Sequence, residues 1–289
     1  MKIASLFGQG KTVFSFEVFP PRKNVPQESI YETLEELKAL TPDFISVTYG
    51  AGGNIADLST CHIASVIKDK CDIEPLAHLT CVNSSREEVE IILEQLKAHG
   101  VKNILALRGD INPDIPPKKD FRYASELISF IKSRGDFHLS GACYPEGHVE
   151  TPDMDKDIDN LKRKIDAGAE HLISQLFFDN SLFFDFLEKV RKAGINTPIE
   201  AGIMPVINKK QIERMVSLCG ASIPSKFSKM MQKYENNPEA LRDAGIAYAV
   251  DQIVDLISQN VDGIHLYTMN KPLIAQRITA SISSLILAD

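Results

Sequence analysis

The chain alternates short apolar runs with longer segments whose apolar residues recur at helical spacing. Segments such as SREEVEIILEQLKAHG carry acidic residues near their start and a glycine at their end, which are helix start and stop signals. Successive apolar runs mostly end about 30 residues apart, the size of one βα unit. Strands that alternate with helices predict a parallel sheet with right-handed crossovers. The predicted strands span residues 14–20, 43–50, 74–81, 103–110, 138–145, 171–178, 198–205 and 263–270.

The number of units favours a closed (β/α)8 TIM barrel, of class α/β, over an open doubly wound sheet. The interval before the last run is longer than the others and contains NKKQIERMVSLCG and PEALRDAGIAYAVDQIVDLISQN, so we expect extra helix between strands 7 and 8. The residues in the middle of the runs are Val, Ile, Leu and Ala, which predicts an apolar, packed barrel interior. Residues 1–289 show neither a linker nor a low-complexity segment and are predicted to form a single domain.

Composition narrows the class of protein. The chain has 289 residues, 44% of them hydrophobic and 25% charged, and a net charge of −7, which argues against a general nucleic-acid binder. No apolar run approaches the roughly 18 residues of a membrane span, and the N-terminus lacks a signal-peptide pattern. Scattered cysteines without C-x-x-C spacing indicate reduced thiols in the cytoplasm rather than disulfides or a metal site. They are Cys61, Cys71, Cys81, Cys143 and Cys219.

Polar side chains collect where the predicted strands end. In a parallel barrel the active site lies at the carboxyl ends of the strands, so these side chains are expected on one rim. Convergence of this kind is a stronger signal than any single residue. The rim residues are Glu17, Thr48, Tyr49, His78, Thr80, Arg108, Gly109, Asp110, Tyr144, Gln175, Tyr267 and Asn270.

Each rim residue, taken alone, also has a structural explanation. Glu17 could be a buried carboxylate paired with Arg22 or Arg108. Asp110 could cap the loop that follows it, and His78 could be a hydrogen-bonded core histidine. The sequence alone leaves these alternatives open.

Two further motifs are weak by themselves. The LKRK segment at 161–164 is more often a solvated helix face than a phosphate site. The glycine pair of FGQG follows no strand and opens no helix, so it is not a dinucleotide fingerprint. The chain also lacks G-x-x-x-x-G-K-[ST], G-x-S-x-G and any histidine pair at metal-ligand spacing.

Nine motifs taken together resemble one family. FSFEVFPPR, SVTYGAGG, HLTC, LALRGD, YPEGH, DNLKRKIDAGA, ISQLFFD, AGIMPV and HLYTMNK occur in this order between residues 12 and 272. They resemble the methylenetetrahydrofolate reductases, of the bacterial type that consists of the catalytic barrel alone. The resemblance implies FAD in the barrel mouth, a hydride supplied by NADH or NADPH, and reduction of 5,10-methylenetetrahydrofolate to 5-methyltetrahydrofolate for methionine synthesis. It also implies ping-pong kinetics, because two substrates share one site, and a homo-oligomer, either a tetramer or a dimer.

The resemblance assigns roles to individual residues. Glu17 resembles the general acid that gives a proton to N10 as the methylene bridge opens; the apolar walls of FSFEVFP would help it keep that proton. Asp110 resembles a residue that contacts both folate and flavin and makes the reduced flavin a better hydride donor. Met215 stands where we expect a phenylalanine that packs on the folate. The substrate-binding set implied is Thr48, which contacts nicotinamide, with Asp110, Gln175, Gln211, Met215, Tyr267 and Lys271.

The same resemblance implies a set of FAD-binding residues. Arg and Lys near the start of a helix would neutralise the pyrophosphate together with the helix N-terminus, and Asp157 would accept from ribose or ribityl hydroxyls. The set is Tyr49, Ala51, His78, Arg108, Gly109, Asp110, Tyr123, Ala124, Tyr144, His148, Asp157, Asn160, Arg163 and Lys164.

Three other readings compete with the reductase. LRGD and SFEVFPPR weigh against another FAD-containing barrel, such as a proline-dehydrogenase-like enzyme. Retention of Glu17, Asp110 and Gln175 together argues against a non-catalytic partner subunit that keeps only the flavin pocket. An aldolase-type barrel would need a Schiff-base lysine, and strands 5 to 7 contain none.

Overall fold

Parallel strands close into a barrel in which each strand pairs with the next and the last pairs with the first. The computed structural model describes residues 1–21, 25–26, 28–49, 59–111, 116–151 and 153–286. Within these ranges the barrel has eight strands, as the repeat of βα units predicts, and the (β/α)8 fold is confirmed. The strands are β1 (Val13–Val18), β2 (Phe44–Val47), β3 (Glu74–Thr80), β4 (Asn103–Leu107), β5 (His138–Cys143), β6 (His171–Ser174), β7 (Ile199–Ile203) and β8 (Gly263–Tyr267).

Helices follow the strands and cover the outside of the barrel. The helix predicted from SREEVEIILEQLKAHG begins at a capping box, in which Ser85 Oγ accepts from Glu88 N and Glu88 Oε2 accepts from Ser85 N. The helices are α1 (Glu28–Lys38), α2 (Ser59–Val66), α3 (Arg86–Ala98), α4 (Ala124–Arg134), α5 (Met154–Ala167), α6 (Asn180–Lys192), α7 (Lys209–Cys219), α8 (Ser225–Tyr234), α9 (Pro238–Ser258) and α10 (Pro272–Ile286). Because α7, α8 and α9 all lie between β7 and β8, the extra helix expected there is confirmed.

The amino end of the barrel is closed by the N-terminal segment. A short 3-10 helix, Ile3–Leu6, lies across it, and Ile3 N donates to Asn103 Oδ1 at the start of β4 over 3.0 Å. Ile3 and Phe7 pack against inward-facing apolar residues such as Phe44 and Leu105. The opposite end, where the strands terminate, is left for a binding site.

The prediction of an apolar barrel interior is confirmed for Phe44, Leu76, Leu105 and Ile173 but is wrong for several of the other inward-facing positions. Fully buried polar side chains occupy these positions and pack directly against the apolar ones, as where the ring of His171 stacks on Phe7 and meets Phe44 edge to face. Successive side chains of a strand point to opposite faces, so Phe14 and Phe16 enter the core beneath the helices while Ser15 between them points inward. The apolar character of a run therefore does not show that its inward-facing side chains are polar. The buried polar residues in the barrel interior include Ser15, Ser46, Asn103, His138, Ser140, His171, Glu200 and His265.

In the described part of the chain, no helix combines the length and the apolar character needed to cross a bilayer.

Candidate active site

A cavity of about 700 Å³ opens at the carboxyl ends of the strands; we call it the mouth cavity. Every predicted rim residue except Asn270 lines it, so the structure brings this set together from seven strand ends. Met215 of α7 lines it as well. Asn270 instead binds backbone: its Oδ1 accepts from Phe19 N over 3.1 Å, and its Nδ2 donates to Phe19 O over 2.8 Å.

A second cavity of about 300 Å³, the side cavity, adjoins the first between α4 and α5. The two cavities share Leu107, Arg108, Ala142, Tyr144 and His148, and together they form one elongated cleft. Nine of the residues predicted for FAD line the side cavity. They are Arg108, Tyr123, Ala124, Tyr144, His148, Asp157, Asn160, Arg163 and Lys164.

Two predicted residues lie elsewhere. Gln211 is half-buried in the first turn of α7, and Lys271 is exposed just before α10. Neither lines the mouth cavity or the side cavity. Ala51 falls outside the described residues, as does Arg22, the first of the two ion-pair partners considered for Glu17.

Glu17 lies near the end of β1, between Ser46 of β2 and Tyr267 of β8 in the strand register. Its side chain is 17% exposed, and Oε2 lies 3.6 Å from His78 Nε2 and 3.5 Å from His265 Nε2. Two imidazoles therefore border this carboxyl group. The apolar walls expected from FSFEVFP are present only in part. Strand alternation turns Phe14, Phe16 and Val18 toward the helices, whereas Phe19 lines the mouth cavity together with Glu17.

The structure bears on the alternatives considered for Glu17 and His78. Arg108 does not pair with Glu17: its Nη1 lies 2.5 Å from Glu150 Oε2 and its Nη2 lies 2.8 Å from Glu150 Oε1. This bidentate contact raises the pKa of Arg108. His78 is buried, yet its Nε2 has no hydrogen-bond partner among the described residues. Burial lowers the pKa of His78 to about 4, so it presents a neutral imidazole to the cavity.

Tyr267 is held against the wall of the mouth cavity. Its hydroxyl donates to Ser174 O over 2.8 Å, and its ring meets that of His265 edge to face at 5.4 Å. A β-carbon at Gly202 would lie 2.6 Å from the Tyr267 hydroxyl and 2.4 Å from Ser174 O, so only glycine fits beside this contact. Burial raises the pKa of Tyr267 well above its ordinary value, which keeps it a neutral hydrogen-bond donor.

Gln175 follows β6 and reaches the mouth cavity with one end of its amide engaged. Its Oε1 accepts from Leu176 N over 2.9 Å. The NH2 group makes no hydrogen bond to the residues with described positions and can donate to a bound molecule. Asp110, by contrast, is exposed at the edge of the cavity.

The basic segment LKRK has two faces. Lys162 is exposed and lines neither cavity, as a solvated helix face would have it, whereas Arg163 and Lys164 line the side cavity. Lys164 Nζ donates to Ala142 O over 2.7 Å and lies 5.4 Å from the ring centroid of Tyr144. Burial lowers the pKa of Lys164, and the nearby Asp157 carboxylate opposes that shift. Only part of the segment is therefore solvated. Arg163 and Lys164 lie near the end of α5 and not near its start, so the prediction that they act together with the helix N-terminus is wrong.

Sequence reasoning missed the polar residues directly below the rim. His265 Nδ1 lies 2.6 Å from Ser15 Oγ, and His265 Nε2 lies 3.3 Å from Ser46 Oγ. The spacing of these residues in the sequence could have predicted their position. Ser15, Ser46 and His265 each precede a rim residue by two positions, which places them on the same face of their strands.

Among the residues with described positions, no three or more His, Cys, Asp or Glu side chains are arranged to hold a metal ion.

The fold and the cleft define a (β/α)8-barrel protein with its binding site at the carboxyl ends of the strands, the arrangement of TIM-barrel enzymes. The family model described as methylenetetrahydrofolate reductase matches residues 2–283. The chain therefore belongs to the methylenetetrahydrofolate reductase family, oxidoreductases of one-carbon folate metabolism that reduce methylenetetrahydrofolate to methyltetrahydrofolate. This membership decides against the proline-dehydrogenase-like and aldolase readings.

Relatives of known name support this membership. The chain is 38% identical over 263 residues to 5,10-methylenetetrahydrofolate reductase of Pectobacterium carotovorum subsp. carotovorum, covering 91% of this chain and 87% of that protein. It is 36% identical over 284 residues to methylenetetrahydrofolate reductase (NADH) 1 of Arabidopsis thaliana, covering 93% of this chain and 48% of the plant protein. The chain thus spans most of the bacterial relative and about half of the plant one.

Solved structures share the fold. An uncharacterized protein from Clostridium thermocellum that binds two copies of 5-methyl-5,6,7,8-tetrahydrofolic acid superimposes with a TM-score of 0.70 at 14% identity, covering 100% of both chains. A dihydropteroate synthase from Coxiella burnetii in complex with pteroic acid gives 0.52 at 12% identity, covering 96% of this chain and 94% of that one. At these identities the likeness concerns the barrel alone.

Proposed function

We propose that this protein is an FAD-dependent reductase that converts 5,10-methylenetetrahydrofolate to 5-methyltetrahydrofolate at the expense of NADH or NADPH. The two substrates would occupy the mouth cavity in turn, which gives ping-pong kinetics. The observation that carries this proposal is the elongated cleft, with titratable groups in the barrel mouth and basic groups at its far end. The product would supply methyl groups for methionine synthesis in the cytoplasm, and we expect the protein to act as a homo-oligomer.

The residues of the cleft fit FAD. A ring system suits the mouth cavity, where Tyr144 and the unpartnered His78 Nε2 form part of the wall. Arg163 and Lys164 suit a pyrophosphate in the side cavity, because cations there would neutralise it. Asp157 suits the hydroxyl groups of a sugar chain. When bound, FAD would carry the hydride between the nicotinamide and the folate.

The chain's own residues would supply the proton and the orientation. Glu17 would give a proton to N10 of the folate as the methylene bridge opens, from a position beside two imidazoles at the cavity wall. Asp110 would accept from the N–H groups of the pterin, and the NH2 group of Gln175, whose Oε1 is engaged by Leu176 N, would donate to the same ligand. Thr48 and Tyr267 line the same wall.

Residues at the edge of the mouth would complete the folate site. Met215 of α7 lines the cavity and would pad a ring with its thioether. Gln211, on the same helix, and the exposed Lys271 would reach the outer part of the folate. An acidic extension of the folate would suit the ammonium group of Lys271.

The test is anaerobic absorbance of the purified protein, mixed first with NADH or NADPH and then with methylenetetrahydrofolate. A flavin spectrum that bleaches with the nicotinamide and returns with the folate would support both half-reactions and their order. A flavin that neither nicotinamide bleaches would favour a partner subunit that delivers electrons. Absence of flavin, even after FAD is added, would overturn the proposal while leaving the family membership intact.

A further inference from the structure

A row of polar groups runs down the barrel interior beneath Glu17. His265 Nε2 lies 3.3 Å from Ser46 Oγ and 3.5 Å from Glu17 Oε2, the second contact being outside hydrogen-bond geometry. His265 Nδ1 lies 2.6 Å from Ser15 Oγ. Ser15 Oγ in turn lies 2.8 Å from Oε1 of Glu200. Ser15, His265 and Glu200 are each 0% exposed, so the row connects the cavity wall to a carboxyl group sealed from water.

The row continues beyond Glu200 toward the amino end of the barrel. His171 Nε2 lies 2.9 Å from Glu200 Oε2, although the angle of approach falls outside hydrogen-bond geometry. His171 Nδ1 lies 2.9 Å from Ser140 Oγ, and Ser140 Oγ lies 3.3 Å from His138 Nε2. Glu200 is therefore the only carboxyl group in the described row besides Glu17 itself.

The surroundings of Glu200 favour its neutral form. Burial raises the pKa of Glu200 to about 7, with the carboxylates of Asp43 and Asp262 adding to that shift and His265 and Ser15 opposing it. Burial also lowers the pKa of His171 to about 3, so His171 is neutral and does not balance a charge on Glu200. A carboxyl group in this position keeps its proton up to about neutral pH.

We propose that Glu200 stores the proton that Glu17 delivers to the substrate, and that Ser15 and His265 pass it between the two carboxyl groups. This inference rests on the general-acid role given to Glu17 above. Glu200 never meets the substrate and acts only through Glu17, so it is a positioning residue of the reaction rather than a catalytic one.

The transfer balances at every group. The proton on Glu200 Oε1 moves to Ser15 Oγ as the hydroxyl proton of Ser15 moves to His265 Nδ1. The proton on His265 Nε2 moves to Glu17 Oε2, so His265 changes tautomer and remains neutral. Glu200 ends as a carboxylate and Glu17 as a neutral acid, which then protonates N10 of the folate. The store refills by the reverse path when Glu17 faces solvent.

A purely structural explanation fits the row less well. An ionisable group at this depth is costly to bury, and an apolar side chain would fill the same volume without that cost. The barrel also makes room for it: a β-carbon at Gly263 would lie 2.7 Å from Glu200 Cγ. An acid that titrates near the working pH is what general-acid catalysis requires.

The experiment compares two variants that cut the path, Glu200→Gln and Ser15→Ala. The rate at which methylenetetrahydrofolate reoxidises the reduced flavin is measured from about pH 5 to about pH 8 by stopped flow. We expect each variant to match the wild type near the acid end, where Glu17 collects its own proton. At the alkaline end we expect a loss of about tenfold, while flavin reduction by NADH changes less than about twofold.

Ser140→Ala is the matched control. It removes the same hydroxyl from an equally buried position in the barrel interior, but on the far side of Glu200. We expect its pH profile to follow the wild type. Infrared difference spectra provide a readout that needs no turnover. The carbonyl band of a protonated carboxylic acid should titrate near neutral pH in the wild type and in Ser15→Ala, and be lost in Glu200→Gln.

Three outcomes would overturn the proton store. They are a loss that is the same at every pH, a loss that appears equally in flavin reduction, or a Ser140→Ala profile like that of Ser15→Ala. The general-acid role of Glu17 is tested separately by Glu17→Gln. A Glu17→Gln variant that reoxidises with folate at the wild-type rate would overturn the proposed function, and the infrared band would still report whether Glu200 holds a proton.

Discussion

Gly263 lies directly against the buried side chain of Glu200. The two residues pair across β7 and β8, and a β-carbon at position 263 would come within 2.7 Å of Glu200 Cγ and 2.9 Å of Val13 O. The space that a side chain at position 263 would need is thus occupied by the side-chain methylene groups of Glu200. The absence of a side chain at 263 is what allows a glutamate at 200.

Gly263→Ala should therefore destabilise the protein by overpacking the interior. We expect the free energy of unfolding to fall by about 1–3 kcal/mol, measured by urea denaturation. The same change made in a Glu200→Ala background should cost less, because one of the two clashing groups is gone. An equal cost in both backgrounds would show that Val13 O, and not Glu200, sets the limit at this position.

Glu17→Gln should separate the two half-reactions. The amide keeps the size of the side chain but has no proton to give, so turnover of methylenetetrahydrofolate should fall by roughly 10²–10⁴-fold. Flavin content and flavin reduction by NADH should remain close to those of the wild type. Stopped-flow absorbance measures both steps in one preparation, and equal losses in the two steps would contradict the general-acid role.

Arg163→Ala combined with Lys164→Ala should weaken FAD retention, because both side chains line the side cavity. We expect the dissociation constant for FAD to rise by about 10-fold or more, measured by fluorescence titration of flavin-free protein. Lys162→Ala is the matched control, since Lys162 lies on the same helix but is exposed and lines neither cavity. Normal flavin content in the double variant would mean that the whole LKRK segment is a solvated face.

Met215→Phe should change substrate affinity more than flavin content. Met215 lies on α7 and contacts the mouth cavity, so a flat ring there would alter how a folate or nicotinamide packs. We expect a change of about threefold in KM for one of the two substrates. Leu218→Phe makes a similar change on the same helix at a residue that is 67% exposed, and should leave KM unaltered. Unchanged constants in Met215→Phe would mean that this position is silent.

The buried histidines should make stability sensitive to acid. Burial, with the nearby His171 and Lys2, lowers the pKa of His138 to about 3, so the folded protein keeps His138 neutral while the unfolded chain takes up a proton below about pH 6.5. Protonation of His138 in the unfolded chain therefore leaves the free energy of unfolding unchanged above that pH and lowers it progressively as the pH falls toward 3. By about pH 5 the loss from one such histidine is about 2 kcal/mol.

Substituting His138 tests this dependence. Urea denaturation of His138→Leu should show a smaller difference in unfolding free energy between about pH 7 and about pH 5 than the wild type shows. The matched control is His99→Leu, which removes an exposed histidine at the end of α3. An unchanged pH dependence in His138→Leu would show that this histidine does not contribute to acid lability.

Part of the site could be predicted because the sequence shows where each strand ends. The convergence of rim residues such as Glu17, His78 and Tyr267 follows from parallel strands alone, and the structure brings them to one cavity. The motif resemblance also pointed to the family that the family model confirms. Gln211 and Lys271 lie outside the described cavities, because a motif carries a residue's identity but not the direction in which its helix or loop turns it.

By itself the sequence determined the barrel and its family. The periods of apolar residues, the turn spacing and the extra segment before the last strand are local properties, and they predict the alternating elements directly. Only the tertiary structure decided what fills the barrel. Ser15, Glu200 and His265 lie as many as 250 residues apart and meet only when the strands close. The hydrogen bonds between them depend on the register of the strands and on closure of the barrel, and neither can be predicted from a single apolar run.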